Sequence, residues 1–142
     1  MQSNNYSVIS NFIEQIWNNR NFEKLNDFID SNFKDNALPN TFPANKEGLK
    51  NWILATSASF DHQTIIEDHV SEGDKIIIKI KMIMKHTGTW RDIEPTGLEV
   101  TAHGYRFYKL KQNKIIESWA LVDGQAVESQ LRGAIRGCKP AV

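Results

Sequence analysis

Few side chains in this sequence combine chemical reactivity with a position that faces an interior. His86 closes the longest alternating run. Ile76, Ile78, Ile80, Met82, Met84 and His86 share one face of it, and Ile77, Lys79, Lys81, Ile83 and Lys85 share the other. The lysine-bearing face is the wetter one, so His86 ends an apolar face turned inward. An imidazole changes charge near neutral pH and suits general acid–base catalysis. A strand-end histidine can equally do no more than bond a loop carbonyl. Arg106 stays protonated and is no base. It could bind a carboxylate or steady an enolate oxyanion, or it could form an internal salt bridge or face outward. Ser118 could hydrogen-bond a ligand or fill space. His62, His69 and His103 have no metal-ligand spacing and no accompanying carboxylate cluster. The single cysteine, Cys138, excludes a cysteine zinc site and an internal disulfide. No metal is expected.

Three helices should precede the strands. Ile9, Phe12, Ile13, Ile16 and Trp17 form one apolar stripe at helical period, broken by Asn18–Asn21. Phe22, Leu25, Phe28 and Ile29 repeat the spacing, with Asn21 as a cap. Residues 34–45 contain Pro39 and Pro43 and read as loop. Leu49, Trp52, Ile53, Thr56 and Phe60 make a third helix, with Asn45 as cap and Glu47 in its first turn. A short strand over 64–70, a turn at 71–74 and strands at 75–86, 98–110 and 115–123 follow. Residues 87–97 form a longer loop, and Gln125 to Leu131 a short helix. Helices followed by antiparallel strands predict an α+β fold. Helices on one face of a curved sheet make that face concave. The small-residue sets, Leu98, Val100, Ala102, Gly104, Arg106, Tyr108 and Ile116, Ser118, Ala120, Val122, are expected to face it and leave room for a ligand. A bulge in either strand would reverse part of this sorting. Tyr6 and Trp52 lie on the cavity side of their helices, as wall or core. Asp123 shares the outer face with Glu117 and Trp119 and reads as structural, pairing with Arg132 or Arg136.

An ordered set of motifs resembles the SnoaL-like polyketide cyclases. It comprises Ile16-Trp17-Asn18, Glu47-Gly48-Leu49, Glu72-Gly73-Asp74, His86-Thr87-Gly88, Pro95-Thr96-Gly97, Gly104-Tyr105-Arg106-Phe107-Tyr108, Lys114 to Trp119, Val122-Asp123 and Gln130-Leu131. The resemblance covers roughly residues 6–131. It implies the cone-shaped α+β fold of nuclear transport factor 2-like proteins, with three N-terminal helices packed in a curved, mainly antiparallel sheet. It also implies ring closure by intramolecular aldol condensation without metal or organic cofactor. The family's last strand usually reads Glu-His-Trp-Asp, with that Asp as acid/base. Here the stretch is Glu117-Ser118-Trp119-Ala120, so Ser118 stands at the histidine position and Ala120 at the carboxylate position. Arg106 matches a polar pocket position, and Asn36 a position after the second helix where the family often has histidine.

The chain has 142 residues, with 17 Lys plus Arg against 17 Asp plus Glu, so its net charge is zero. That balance argues against nucleic acid as a partner. Lys79 and Lys81 interrupt the most apolar stretch, so no membrane span is expected. The first residues lack the features of a signal peptide, and the expected location is cytoplasmic. One domain over 1–142 is expected, with a core at about 6–131 and a tail at 132–142. Two functions compete. One is a cyclase or isomerase that abstracts a proton next to a carbonyl, with His86 as base and Arg106, Ser118 or Asn36 at the oxyanion. The other is a non-catalytic small-molecule binder whose acid/base was lost at Ala120. His103, Tyr105, Phe107, Trp119 and Leu121 should form one outer patch, which predicts a homodimer through that face unless the C-terminal segment covers it.

Overall fold

The computed structural model describes residues 2–136, with side chains over 4–134. Cys138 and the Arg136 side chain lie outside the described residues. The first apolar stripe forms as expected. Helix α1 (Gln2–Phe12) runs straight into a π-helical segment, Ile13–Asn18, and Ile9, Phe12, Ile13, Ile16 and Trp17 are all buried. The wider π turns are often found at functional sites, and here they carry Trp17.

The second helix departs from expectation. Only a 3-10 turn at Phe22–Lys24 and one short helix, α2 (Leu25–Phe28), form. Ile29 then opens strand β1 (Ile29–Asp35), whose last residues fall in what reads as loop. The reason is tertiary. Ile29, Lys34 and Asp35 pair in parallel with Ile115, Glu117 and Ser118, and that pairing overrides local helical spacing.

Helix α3 (Lys46–Ser59) begins where its cap predicts, the Asn45 side chain accepting a hydrogen bond from the Gly48 N–H at 3.0 Å. Strand β2 (Phe60–Glu72) is longer than its β-branched stretch. A register slip between Ile66 and Asp68 breaks its alternation and hides its ends in the sequence.

Strands β3 (Lys75–His86), β4 (Glu99–Lys111) and β5 (Lys114–Val122) complete a sheet of order β1-β5-β4-β3-β2. Every pair is antiparallel except β1 with β5. The sheet is curved, and with the helices it forms the nuclear transport factor 2-like α+β fold. The inward sets of β3 and β4 are as expected except for Leu98, which precedes β4 and is exposed. On β5, Leu110 pairs with Ile115 and Lys109 with Glu117, so Ile116 is the extra residue of a bulge. Ile115 is therefore the buried residue there instead of Ile116, while Ser118 and Ala120 keep their inward side.

The C-terminal helix α4 (Gly124–Arg136) is longer than expected. Asp123 caps it, accepting from the Ala126 N–H at 3.0 Å, and does not pair with Arg132. Arg132 instead binds Glu128 at 2.7 Å and the Arg91 carbonyl at 3.1 Å. Val127 and Leu131 of α4 are buried in the core, so the helix leaves the outer sheet face open. There Tyr105 is 51% and Leu121 82% exposed, and the Phe107 and Trp119 rings lie 5.2 Å apart. No described helix is long and apolar enough to cross a membrane.

Candidate functional site

Between the sheet and the helices lies a cavity of about 510 Å³. Trp17, Trp52, Phe60, Met82, Met84 and Trp90 give it apolar walls, and Asp35 and Arg106 bring charge into it. Burial of that much apolar and aromatic surface around a few polar groups is the usual form of a small-molecule site.

Asp35 is brought in by the parallel pairing of β1. The backbone around it is fixed, because Asp35 N–H donates to the Ala44 carbonyl at 3.2 Å and Asn36 N–H to the Ser118 carbonyl at 2.8 Å. Its carboxyl accepts from the Ala37 N–H at 2.9 Å and from the Ser118 hydroxyl. Burial raises its pKa above the ordinary carboxylate value, against the pull of Ala37, Arg106 and Ser118. A carboxyl of this kind exchanges protons nearer neutral pH than a surface aspartate does.

Arg106 comes from β4. Its guanidinium lies over the Trp17 ring at 4.3 Å and hydrogen-bonds the Tyr108 hydroxyl. Its Nε is buried without a hydrogen-bond partner among the described residues. Among the described residues no carboxylate pairs with it within 4.0 Å. The Tyr108 hydroxyl is pushed up to about 12 by burial, so it stays protonated and acts as a neutral neighbour of the cation. Behind Trp17, at 6.2 Å between rings, sits His62. Its Nε2 lies 3.0 Å from the Ser57 hydroxyl, and burial, then the nearby Arg20, lowers its pKa to about 4.

The residues expected from sequence divide sharply. Arg106, Trp52 and Ala120 line the cavity. Ser118 touches it only through Asp35. His86 is fully buried and is not on the cavity wall. Its Nδ1 accepts from the Thr96 N–H at 3.2 Å and lies 3.1 Å from the Thr96 hydroxyl, which places its proton on Nε2. Phe60 stands 5.3 Å from the imidazole and itself lines the cavity. The structure thus places the His86 ring against the following loop and off the cavity wall. Asn36 is exposed, with its amide on Glu117 at 3.1 Å, and Tyr6 stacks on His69 at 4.1 Å, so both lie off the cavity.

Sequence reasoning missed Asp35 and Trp17 as site residues. The only local signal for Asp35 is its two-residue spacing from Phe33, which puts both on the buried face of one strand.

The geometry can therefore move a proton at Asp35 and hold negative charge at Arg106 inside an apolar chamber. No curated protein sequence matches the chain. Its fold is shared with solved structures from several bacteria. A protein from Acidithiobacillus ferrooxidans aligns at 20% identity and a TM-score of 0.83, over 94% of this chain and 98% of that one. IdmH from Streptomyces antibioticus aligns at 20% identity and 0.82, over 90% and 98%. A SnoaL-like polyketide cyclase from Agrobacterium tumefaciens aligns at 22% and 0.75, over 89% and 97%. The model of the SnoaL-like polyketide cyclases matches residues 7–131, and with that nearly complete span the chain belongs to this family.

Proposed function

We propose that the protein catalyses proton abstraction next to a carbonyl in an apolar small molecule, leading to aldol-type ring closure or isomerisation. The observation that carries this is a buried carboxyl of raised proton affinity sharing one cavity with a guanidinium that has no ion-pair partner among the described residues. Asp35 takes the proton from the carbon beside the carbonyl, the C–H electron pair becomes the enolate C=C bond, and the C=O π pair moves to the carbonyl oxygen. The enolate oxygen is held by Arg106, whose donors are fixed before the reaction and need no reorganisation. The enolate carbon then bonds to a second carbonyl carbon, and Asp35 returns the proton to the new alkoxide. In isomerisation the proton returns to a different carbon. Ser118 and the Ala37 N–H hold the carboxyl in place. His86 has no part in these steps.

A second reading, binding without turnover, is favoured by Ala120, which lines the cavity and stands at the position where the resemblance implies the family's carboxylate. Hydrogen–deuterium exchange separates the two. The α-protons of 2-tetralone and related bicyclic ketones are followed by NMR in deuterated buffer. Exchange above the buffer rate that falls about 10²–10⁴-fold in Asp35→Asn supports catalysis. Ketone binding with no accelerated exchange would leave a binder. We further propose that two copies pair through the open outer face around Tyr105, Trp119 and Leu121, whose exposed aromatic and aliphatic surface suits an isologous contact.

A further inference from the structure

Arg91 lines the cavity and yet has 46% of its side chain exposed, so it stands at the mouth. Its loop also gives the wall Trp90, and α4 gives it Gly124 and Val127. Loop and helix are tied together there by exposed charges. Arg91 Nη1 meets Glu128 Oε1 at 3.0 Å, Arg132 Nε donates to Glu128 Oε2 at 2.7 Å, and Arg132 Nη2 donates to the Arg91 carbonyl at 3.1 Å. The Arg91 guanidinium also lies over the Trp90 ring, 4.5 Å from its centre.

The rest of the loop is fixed from inside. The Thr87 and Gly88 N–H groups donate to the Ser59 carbonyl at 2.9 and 3.0 Å, and the Ser59 hydroxyl donates to the Thr89 carbonyl at 2.9 Å. Thr96 is bonded to His86, and Ile93 is buried in the core. The tip is a two-residue hairpin in which Trp90 and Ile93 exchange both backbone hydrogen bonds, at 3.0 and 2.8 Å. Its central residues, Arg91 and Asp92, hold φ at 50° and 64°. Such a left-handed pair favours Asn-Gly and strains a long side chain such as arginine. The turn therefore leans on its strap to α4. Exposed ion pairs are weak and are screened by salt, so that strap releases easily.

We propose that the Arg91–Glu128–Arg132 strap is a gate: it draws the hairpin tip against α4, narrows the mouth of the cavity and, on release, admits bulky ligands. This goes beyond the proposed reaction and holds whether or not Asp35 acts as a base. Gly124 offers a handle that involves no charge. A Cβ there would stand 2.9 Å from Arg91 Nη2, so Gly124→Ala pushes the flexible end of that side chain away.

The test reads access to the cavity in the full chain. A thiol is placed on the wall as Ala120→Cys in a Cys138→Ser background, and its alkylation is followed by mass spectrometry. N-phenylmaleimide is the bulky reagent and iodoacetamide the small one, and both are neutral. The ratio of their rates cancels changes in thiol reactivity. Raising NaCl from about 0.05 to about 0.5 M should raise the bulky-to-small ratio about threefold or more. Glu128→Gln and Gly124→Ala should each do the same at low salt. An unchanged or lowered ratio in salt, or in either variant that folds, would overturn the proposal. The salt series needs no change in the strap, so it decides the matter even if both variants fail to fold. A thiol that N-phenylmaleimide reaches under none of these conditions would also overturn it.

Discussion

Asp35 and His62 shift in opposite directions for the same reason: burial penalises the charged form of each. Their effects on stability therefore have opposite signs. A carboxyl whose folded-state pKa is raised stabilises the fold below its unfolded value of about 3.9, and that contribution is lost as pH rises through the folded-state value. Asp35→Asn should therefore raise the melting temperature at pH 8, with the gain shrinking as pH falls toward about 3.9, while exchange activity is lost. A variant that is no more stable at pH 8 than the wild type would contradict the raised affinity. The protein thus retains a carboxylate that weakens the fold at the pH where it would work as a base. For His62, lowered to about 4, the unfolded chain binds the extra proton between about 6.5 and 4, so stability is lost as pH drops through that window. The loss is on the order of 3 kcal/mol, and His62→Gln should flatten that part of the denaturation-midpoint profile.

At the scale of elements, alternation made the faces of β3 and β4 legible, and a single capping residue located the start of α3. Periodicity failed wherever pairing partners decided the matter. The stretch from Ile29 to Asp35 has little β-branched character and became a strand only because β5 accepts it, which is why Asp35 was invisible and its neighbour Asn36 drew attention instead. On β5 the bulge at Ile116 exchanged two isoleucines between faces but stopped short of Ser118 and Ala120. His86 was correctly placed on an inward face, yet alternation says nothing about which loop closes over a strand end. That loop, 87–97, is fastened to the imidazole through the Thr96 N–H, the Gly97 N–H to the His86 carbonyl at 2.9 Å, and the His86 N–H to the Leu98 carbonyl at 2.8 Å. His86→Ala removes the first of these and leaves a void. It should cost about 2–4 kcal/mol in chemical denaturation. Isotope exchange per folded molecule should stay within threefold of wild type, whereas a hundredfold loss would return His86 to the chemistry.

At the scale of the molecule, the open outer face remains accessible because α4 turns its apolar side into the core. If two copies pair there, Trp119→Asp should convert a dimer to a monomer in sedimentation or light scattering, with little change in fold because Trp119 is 37% exposed. A wild-type monomer would dismiss the interface. The position of β1 matters in a different way. It lies at one edge of the sheet and is paired on one side only, at Ile29, Lys34 and Asp35, with an irregularity between the first and second of these. Arg106 sits two strands inward on β4, paired on both sides. An edge element with so short a ladder belongs to the part of a fold that opens first, at a free energy below that of global unfolding. The acid/base would then leave on warming while the chamber and its guanidinium persist, so the protein would lose turnover before it loses either its ligand or its shape.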